Sequence, residues 1–299
     1  MKLHIQTPLL QSQQLKNQWG KTVYFKLEAL QPTGSFKIRG IGYLCQKLAL
    51  EGASSFVASS GGNAGIAVAY AGMKLNKPTT IFIPKSSNPI YINAIESFGA
   101  TVIVAGETAG DAQTSAMEFS KTHAVPYIHP YDNPDIWHGH STLIDEIAAL
   151  GIKPDAVIVS VGGGGLACGV LEGMHRHGWS NTPFFAVETI GADVFAQSIR
   201  AKASIKLTKI TSKATSLGAT YAAPKLLEWA KKHPITNIVM DDAQAEAGSR
   251  AFAQDKRVLV ELASGASLSM VYENNPALFN YESILVMVCG GINVSHFSI

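Results

Sequence analysis

The sequence predicts an α/β fold with two open, twisted, mostly parallel sheets covered by helices. Short runs of β-branched and apolar residues alternate with longer helical patterns along the 299 residues of the chain. Consecutive strand–helix units favour parallel sheets that carry helices on both faces. With 46% hydrophobic residues, the chain can also bury a sizeable core.

The first group of predicted elements lies between residues 22 and 130. Its strands are predicted at 22–28, 54–60, 79–84, 101–106 and 124–130. Helices are predicted in "IAVAYAGMKL", directly after the turn "GGNAG", and at 88–99. This part of the chain therefore forms one predicted α/β unit.

A second group of elements begins with a helical pattern at 137–150. Its strands are predicted at 155–161, 184–188, 237–242, 258–262 and 284–291. We expect a small domain at 32–132, a large domain made of 1–31 and 133–299, and a cleft between their sheets. Ligands of such sheets bind beyond the carboxyl ends of the strands, where the glycine-rich segments of this chain are predicted to lie.

Charge and cysteine content narrow the class of partner and the compartment. The net charge of +2, from 24 basic and 22 acidic residues, gives no broad field for nucleic acid or an anionic membrane, so we expect neither partner. The three cysteines are widely spaced and lack a CxxC pair, which indicates neither a disulfide framework nor a zinc site. The N-terminus has no apolar leader segment. These features predict a cytoplasmic protein.

The segment "VGGGG" ends a predicted strand and precedes a predicted helix. Consecutive glycines let backbone N–H groups approach an anion, and the helix N-terminus adds partial positive charge, so this turn is typical of a phosphate site. Gly162, Gly164 and Ala167 also fit the dinucleotide fingerprint G-x-G-x-x-G/A, with Glu188 near the place of a ribose-binding acid. A nicotinamide nucleotide therefore stays an alternative ligand, and a flexible turn without a ligand is the third interpretation.

The segment "SSGGNAG" at 59–65 has the same place between a strand and a helix but a different chemistry. Ser59, Ser60 and Asn63 supply hydroxyl and amide groups beside two glycines, which suits a small carboxylate. Ordinary helix capping by Ser60 or Asn63 is the alternative. A single ligand that carries both a phosphate and a carboxylate would use both glycine-rich turns.

Lys37 lies between Phe36 and Ile38 in "PTGSFKIRG". An amine held beside an aromatic ring and near an aldehyde cofactor can form a Schiff base, and removal from water makes it a usable base. An isolated lysine would more simply be a surface residue that extends past Phe36. The two glycine-rich turns favour the functional interpretation.

Five segments in this order, "PTGSFKIRG", "SSGGNAG", "SVGGGGL", "ETIGA" and "VCGG", resemble the pyridoxal-phosphate-dependent serine/threonine dehydratases of fold type II, in particular the single-domain serine dehydratases. The resemblance covers essentially the whole chain. It implies that pyridoxal 5'-phosphate is bound in a cleft between the large and the small domain.

The same resemblance implies a role for each matching residue. It assigns Lys37 to the Schiff base, Phe36 to packing against the cofactor ring and Asn63 to the ring hydroxyl. The cofactor phosphate would be bound by the backbone N–H groups of Gly162, Gly163, Gly164, Gly165 and Leu166. The substrate carboxylate would be held by Ser60, Gly61, Gly62 and Asn63.

Cys289 is implied to meet the pyridine nitrogen of the cofactor. A neutral partner leaves this nitrogen largely unprotonated, which disfavours transamination and still permits loss of a β-hydroxyl. A buried cysteine that serves as a small hydrophobic residue is the alternative, and it is the interpretation that we give to Cys45 and Cys168.

A monovalent cation, K⁺, is a further implication of the resemblance. Its oxygen ligands would come from Gly162, Glu188, Ala192, Leu217 and Ala219. The chain departs from the family pattern at Val194, which stands where related enzymes have a serine ligand. Glu188 as a simple surface acid is the alternative. Two further departures, Ser216 and Gly61 in place of alanines, bear on the choice between serine and threonine.

The predicted function is elimination of the β-hydroxyl and deamination of L-serine or L-threonine, which yields pyruvate or 2-oxobutyrate and ammonia. One alternative is β-replacement, as in a cysteine-synthase-like enzyme; another is a non-catalytic protein that binds pyridoxal phosphate or a nucleotide. The resemblance also implies a homodimer. No regulatory domain is expected in the chain.

Overall fold

The chain forms two compact units in the computed structural model, which describes residues 2–295 and 297. The smaller unit contains Gln31–His140 and the residues before Gln6, and the larger contains Gln6–Leu30 and the residues after His140. In the smaller unit the Gln31 side chain accepts the Ile5 N–H at 3.0 Å, and a Cβ on Gly40 would lie 2.7 Å from the His140 ring. The predicted domain boundaries at 31/32 and 132/133 lie near this division and stay a prediction about independent domains.

Strands and helices alternate through both units. The strands are β1 (Leu9–Gln11), β2 (Thr22–Leu27), β3 (Phe56–Ala58), β4 (Thr79–Ile83), β5 (Thr101–Val104), β6 (Ala156–Ser160), β7 (Phe184–Thr189), β8 (Ile235–Met240) and β9 (Ser283–Val288). The helices are α1 (Gln13–Trp19), α2 (Lys37–Leu50), α3 (Asn63–Leu75), α4 (Pro89–Ser97), α5 (Ala109–His123), α6 (Pro134–Ala148), α7 (Gly165–Arg176), α8 (Val194–Ala201), α9 (Pro224–Trp229), α10 (Asp242–Lys256) and α11 (Leu262–Tyr272).

The smaller unit has a parallel sheet in the order β3-β4-β5. Val57 of β3 packs with Phe82 of β4 and with Ala112 and Ala116 of α5. All residues of β3 are buried, so its sequence is a short apolar run without alternation of apolar and polar residues. Its carboxyl end leads directly into residues 59–62, here called the Ser-Gly turn, and then into α3.

The prediction of a strand at 124–130 is wrong, because this segment makes only an isolated bridge to the sheet. Val57 donates its N–H to the Pro126 carbonyl at 3.2 Å and accepts the Ile128 N–H at 2.7 Å. Pro126 and Pro130 have no N–H to donate, so a longer ladder cannot form. The segment instead continues as a turn.

The larger unit has a six-stranded sheet in the order β1-β2-β9-β6-β7-β8. Only the pair β1–β2 is antiparallel among the described strand pairs of this sheet, and the other pairs are parallel. β6 and β7 are buried along their whole length, as expected for central strands covered on both faces. The two sheets confirm the predicted α/β class with mostly parallel strands.

The strand predicted at 258–262 is also wrong. This apolar run is the connection between α10 and α11, which pack closely against each other. A Cβ on Gly265 would collide with the Ala245 carbonyl oxygen, so the two helices approach at a distance that only glycine permits. Val260 is fully buried, which explains the apolar pattern without a strand.

Among the described residues, no helix is both long enough and apolar enough to cross a membrane.

Candidate active site

Lys37 is the first residue of α2, and its amine contacts a backbone carbonyl and an aromatic ring. Its Nζ donates a hydrogen bond to the Pro130 carbonyl at 2.6 Å and lies 5.3 Å from the centre of the Phe36 ring. The side chain is half-buried. The contact with Phe36 fits either sequence interpretation, but the bond to a backbone carbonyl shows that the amine does not simply extend into solvent.

Two histidines that the motifs did not mark lie near this amine. The His140 ring is fully buried, packs edge-on against Phe36 at 4.9 Å, and has no hydrogen-bond partner for either ring nitrogen among the described residues. Burial, and then the charge of Lys37, hold the pKa of His140 well below its usual value. The same two causes lower the pKa of His129 to about 4. Both rings are therefore neutral at physiological pH.

The Ser-Gly turn leaves the start of α3 without a side-chain cap. The residue that caps α3 is Gly62, in an extended conformation, and its N–H lies 3.4 Å from the Ser60 Oγ. Capping by Ser60 or Asn63, the simpler interpretation, is thus not what the structure has. Glycine is required at 65, where a Cβ would collide with the Ser60 carbonyl oxygen. The turn brings the Ser60 hydroxyl and the Asn63 amide to one helix N-terminus with open N–H groups.

The tetraglycine turn, residues 162–165 of the larger unit, likewise leaves the start of α7 without a side-chain cap. Gly164 caps α7 with a left-handed φ of 87°, a conformation that glycine adopts readily, and offers no side chain to the helix. A Cβ on Gly162 would lie 3.0 Å from the Leu217 Cα, so the backbone passes close to that segment. The first N–H groups of α7 have no acceptor within the helix. The turn therefore fits a phosphate.

Glu188 ends β7 and is fully buried, so it is not the surface acid of the simpler interpretation. Its carboxylate accepts the N–H groups of Phe195 at 2.8 Å and Ala196 at 2.7 Å, and it thereby caps α8 from the neighbouring strand. Burial raises the pKa of Glu188 to about 8 even though these two bonds lower it. A buried carboxylate in this place cannot reach a ribose, which argues against the dinucleotide alternative.

The residues of the expected cation site lie next to Glu188 or to Gly162 in the structure. Val161 donates its N–H to the Val187 carbonyl at 2.8 Å, which puts Gly162 and Glu188 at the same edge of adjacent strands. Leu217 contacts Gly162, and its carbonyl accepts the Ala219 N–H at 2.8 Å. Ala192 is bridged to Thr189, next to Glu188. Val194 is fully buried and begins α8.

Cys289 follows β9 directly and is almost fully buried. Its Sγ lies 3.0 Å from the Oγ of Ser264, which also accepts the Gly290 N–H at 3.0 Å. The thiol is therefore oriented by a hydroxyl that sequence reasoning did not identify. Ser216, the departure noted above, lines a cavity of about 350 Å³ together with Glu261 at the start of α11.

The comparison with known families decides between pyridoxal phosphate and a nucleotide as the cofactor. The family "Pyridoxal-phosphate dependent enzyme" matches residues 1–290 of the chain. The chain belongs to this family.

Relatives within the family agree on the class of enzyme. L-serine dehydratase/L-threonine deaminase of Bos taurus is 42% identical over 98% of this chain and 93% of its own length. The crystal structure of a fungal L-serine ammonia-lyase from Rhizomucor miehei has a TM-score of 0.91 at 34% identity and covers 99% of this chain and 96% of its own. Threonine deaminase isoform 2 of Solanum lycopersicum has a TM-score of 0.90 at 26% identity, with coverage of 98% and 86%.

Proposed function

We propose that this protein is an ammonia-lyase that uses pyridoxal phosphate to convert L-serine or L-threonine into pyruvate or 2-oxobutyrate and ammonia. The observation that carries the proposal is the amine of Lys37, which is half-buried beside Phe36 and bound to the Pro130 carbonyl. Relatives with the names serine dehydratase and serine ammonia-lyase match the chain over nearly its whole length.

The residues divide between holding the cofactor and holding the substrate. Lys37 would bond the cofactor aldehyde, and the N–H groups of Gly162–Leu166 would bind its phosphate. Phe36, Asn63 and Cys289 would contact its ring. The Ser60 hydroxyl and the open N–H groups at the start of α3 would bind the substrate carboxylate.

When bound, pyridoxal phosphate supplies an electron sink for the Cα of an amino acid. The Lys37 Nζ then takes the proton from this Cα, and the substrate loses its β-hydroxyl as water. Because the rings of His129 and His140 are neutral, neither of them adds a positive charge beside Lys37. An uncharged amine, which is the form that accepts a proton, is therefore less disfavoured than it would be beside cationic histidines.

We further propose a bound K⁺ at Glu188, a homodimer and a cytoplasmic location. The cation is supported by the buried Glu188 carboxylate and by the position of Gly162, which lies at the same sheet edge as Glu188 and close to the Leu217 backbone. The location is supported by the three buried cysteines, which form no disulfide among the described residues. The homodimer rests on the resemblance to the dehydratases alone.

The test is an assay of the full chain with pyridoxal phosphate, L-serine and L-threonine, in which 2-oxo acid and ammonia are measured with and without K⁺. We expect equal amounts of both products, and loss of turnover by at least about 10³-fold in Lys37→Ala because the proton acceptor is gone. Lys47→Ala, a change on the same helix at an exposed lysine, should keep full activity. Incorporation of an added thiol would instead indicate β-replacement, and no product at all would contradict the proposal.

A further inference from the structure

The segment 127–133 contacts both the Ser-Gly turn and the amine of Lys37. Near its start the Tyr127 hydroxyl lies 2.6 Å from the Oγ of Ser59, at the Ser-Gly turn. In its middle the Pro130 carbonyl accepts the Lys37 amine at 2.6 Å. The conformation of this segment therefore determines where a hydrogen-bond acceptor for Lys37 lies.

His129 shapes the turn in that segment through one ring nitrogen. Its Nδ1 accepts the Asp132 N–H at 2.8 Å and, more weakly, the Tyr131 N–H at 3.3 Å. The Trp137 indole fixes the far side of the same turn by donating to the Tyr131 carbonyl at 2.8 Å. Both backbone donors approach Nδ1, so this nitrogen must carry a lone pair rather than a proton.

We propose that His129 is a positioning residue for Lys37, whose unprotonated Nδ1 fixes the turn that presents the Pro130 carbonyl to the lysine amine. The proposal rests on the function proposed for Lys37. It adds a residue to which neither the sequence motifs nor the resemblance gives a role. A proton on Nδ1 would remove both acceptor contacts, and a ring protonated on both nitrogens would also place a second cation close to Lys37.

The chemistry predicts which side chains can replace His129. An asparagine can offer its Oδ1 to the N–H groups two and three residues later, as it does in Asx turns, and it stays neutral. A leucine fills similar space without an acceptor. His123→Leu is the matched control, because His123 is an exposed histidine of α5 in the same unit.

The first experiment compares steady-state kinetics of the holoenzyme variants. We expect kcat of His129→Leu to fall by about tenfold with KM within about twofold, because a misplaced proton acceptor slows the chemical step more than it weakens binding. His129→Asn should recover most of the lost kcat, and His123→Leu should equal the wild type. Equal kcat in His129→Leu and the wild type would overturn the proposal.

A second readout measures the amine directly in the full chain after removal of the cofactor. The rate of acylation of Lys37 at pH 8, followed by mass spectrometry, should rise about fivefold in His129→Leu. Without the carbonyl acceptor the ammonium form of Lys37 is less stable, so a larger fraction of the amine is uncharged and reactive. His129→Asn should react like the wild type. The acylation rate of the exposed Lys47 should be the same in every variant, and a rise at the buried Lys26 would identify general unfolding instead.

If His129→Leu does not fold, the wild-type holoenzyme still tests the proposal. Nitrogen-15 NMR of histidine-labelled protein should show His129 as the neutral tautomer with its proton on Nε2 between pH 5 and 9. A proton on Nδ1 in that range would overturn the proposal. If reduction of the holoenzyme with borohydride does not attach the cofactor to Lys37, the proposed function fails first, whatever the state of His129.

Discussion

At the residue scale, the chemistry proposed for Lys37 depends on the surroundings of its amine, because other lysines carry the same side chain. Lys47 lies ten residues further along α2, is 47% exposed and pairs with Asp135. The Lys37 amine instead contacts the Pro130 carbonyl and the face of the Phe36 ring. Contacts of these two kinds hold an ammonium less firmly than a carboxylate does, which suits an amine that must lose its proton to form a Schiff base.

The glycines of the tetraglycine turn permit a prediction that separates backbone strain from ligand binding. In Gly164→Ala a Cβ would lie 2.8 Å from the Leu226 side chain at a φ of 87°. We expect a loss of about 2 kcal/mol in the free energy of unfolding and a fall of at least about tenfold in cofactor affinity. Urea denaturation and fluorescence titration with pyridoxal phosphate measure the two quantities.

Gly178→Ala provides the control for that change. Gly178 has a φ of 73° and open space where a Cβ would point, so it should lose about 1 kcal/mol from strain and keep its cofactor affinity. Unchanged cofactor affinity in Gly164→Ala would contradict the phosphate role of the turn.

The sequence predicts residues of this kind only when the signal is local. Lys37, the Ser-Gly turn and the tetraglycine turn each lie in a motif of nine residues or fewer, so the sequence alone can mark them as candidates. Pro130 lies 93 residues from Lys37, and no sequence pattern links a carbonyl to a distant amine. His129, His140 and Ser264 were missed for the same reason, since their importance lies in contacts made on folding.

At the element scale, the two helices that follow the glycine-rich turns begin differently from α5 and α10. α5 and α10 have complete capping boxes, Thr108 with Asp111 and Asp241 with Gln244. α3 and α7 begin after a glycine that offers no side-chain cap. Their N–H groups therefore remain available for the anionic groups of ligands, at a cost in helix stability of about 1 kcal/mol each.

α8 begins in a third way, and its cap predicts a response to potassium. The pKa of Glu188 is raised from 4.5 to about 8, so the folded state binds a proton that the unfolded state releases. Between these pH values the contribution of this group to stability falls as pH rises. A bound cation would replace the proton, so K⁺ should stabilise the protein more at pH 8.5 than at pH 6.

We expect K⁺ at pH 8.5 to raise the Tm by about 3 °C over the same ionic strength of tetramethylammonium chloride. Glu188→Gln should abolish the difference because a neutral amide binds the cation weakly. Glu282→Gln, at an exposed acid of the same unit, should keep it. A potassium effect of equal size in Glu188→Gln would show that the cation binds elsewhere.

At the scale of the whole molecule, the fold class and the order of most elements could be predicted because the central strands are short apolar runs between helical patterns. β6, β7 and β9 all fall within their predicted ranges or one residue beyond them. The errors at 124–130 and 258–262 have one cause. Both segments contain buried apolar residues, Val125 and Val260, but one is interrupted by prolines and the other joins two closely packed helices.

The most direct test of the role of Lys37 is reduction of the cofactor-loaded full chain with borohydride, followed by peptide mapping by mass spectrometry. The result that we predict is one pyridoxyl group per chain, on Lys37, with no labelling in Lys37→Ala and full labelling in Lys47→Ala. Stable labelling of another lysine, or cofactor binding that borohydride cannot fix to the chain, would contradict it.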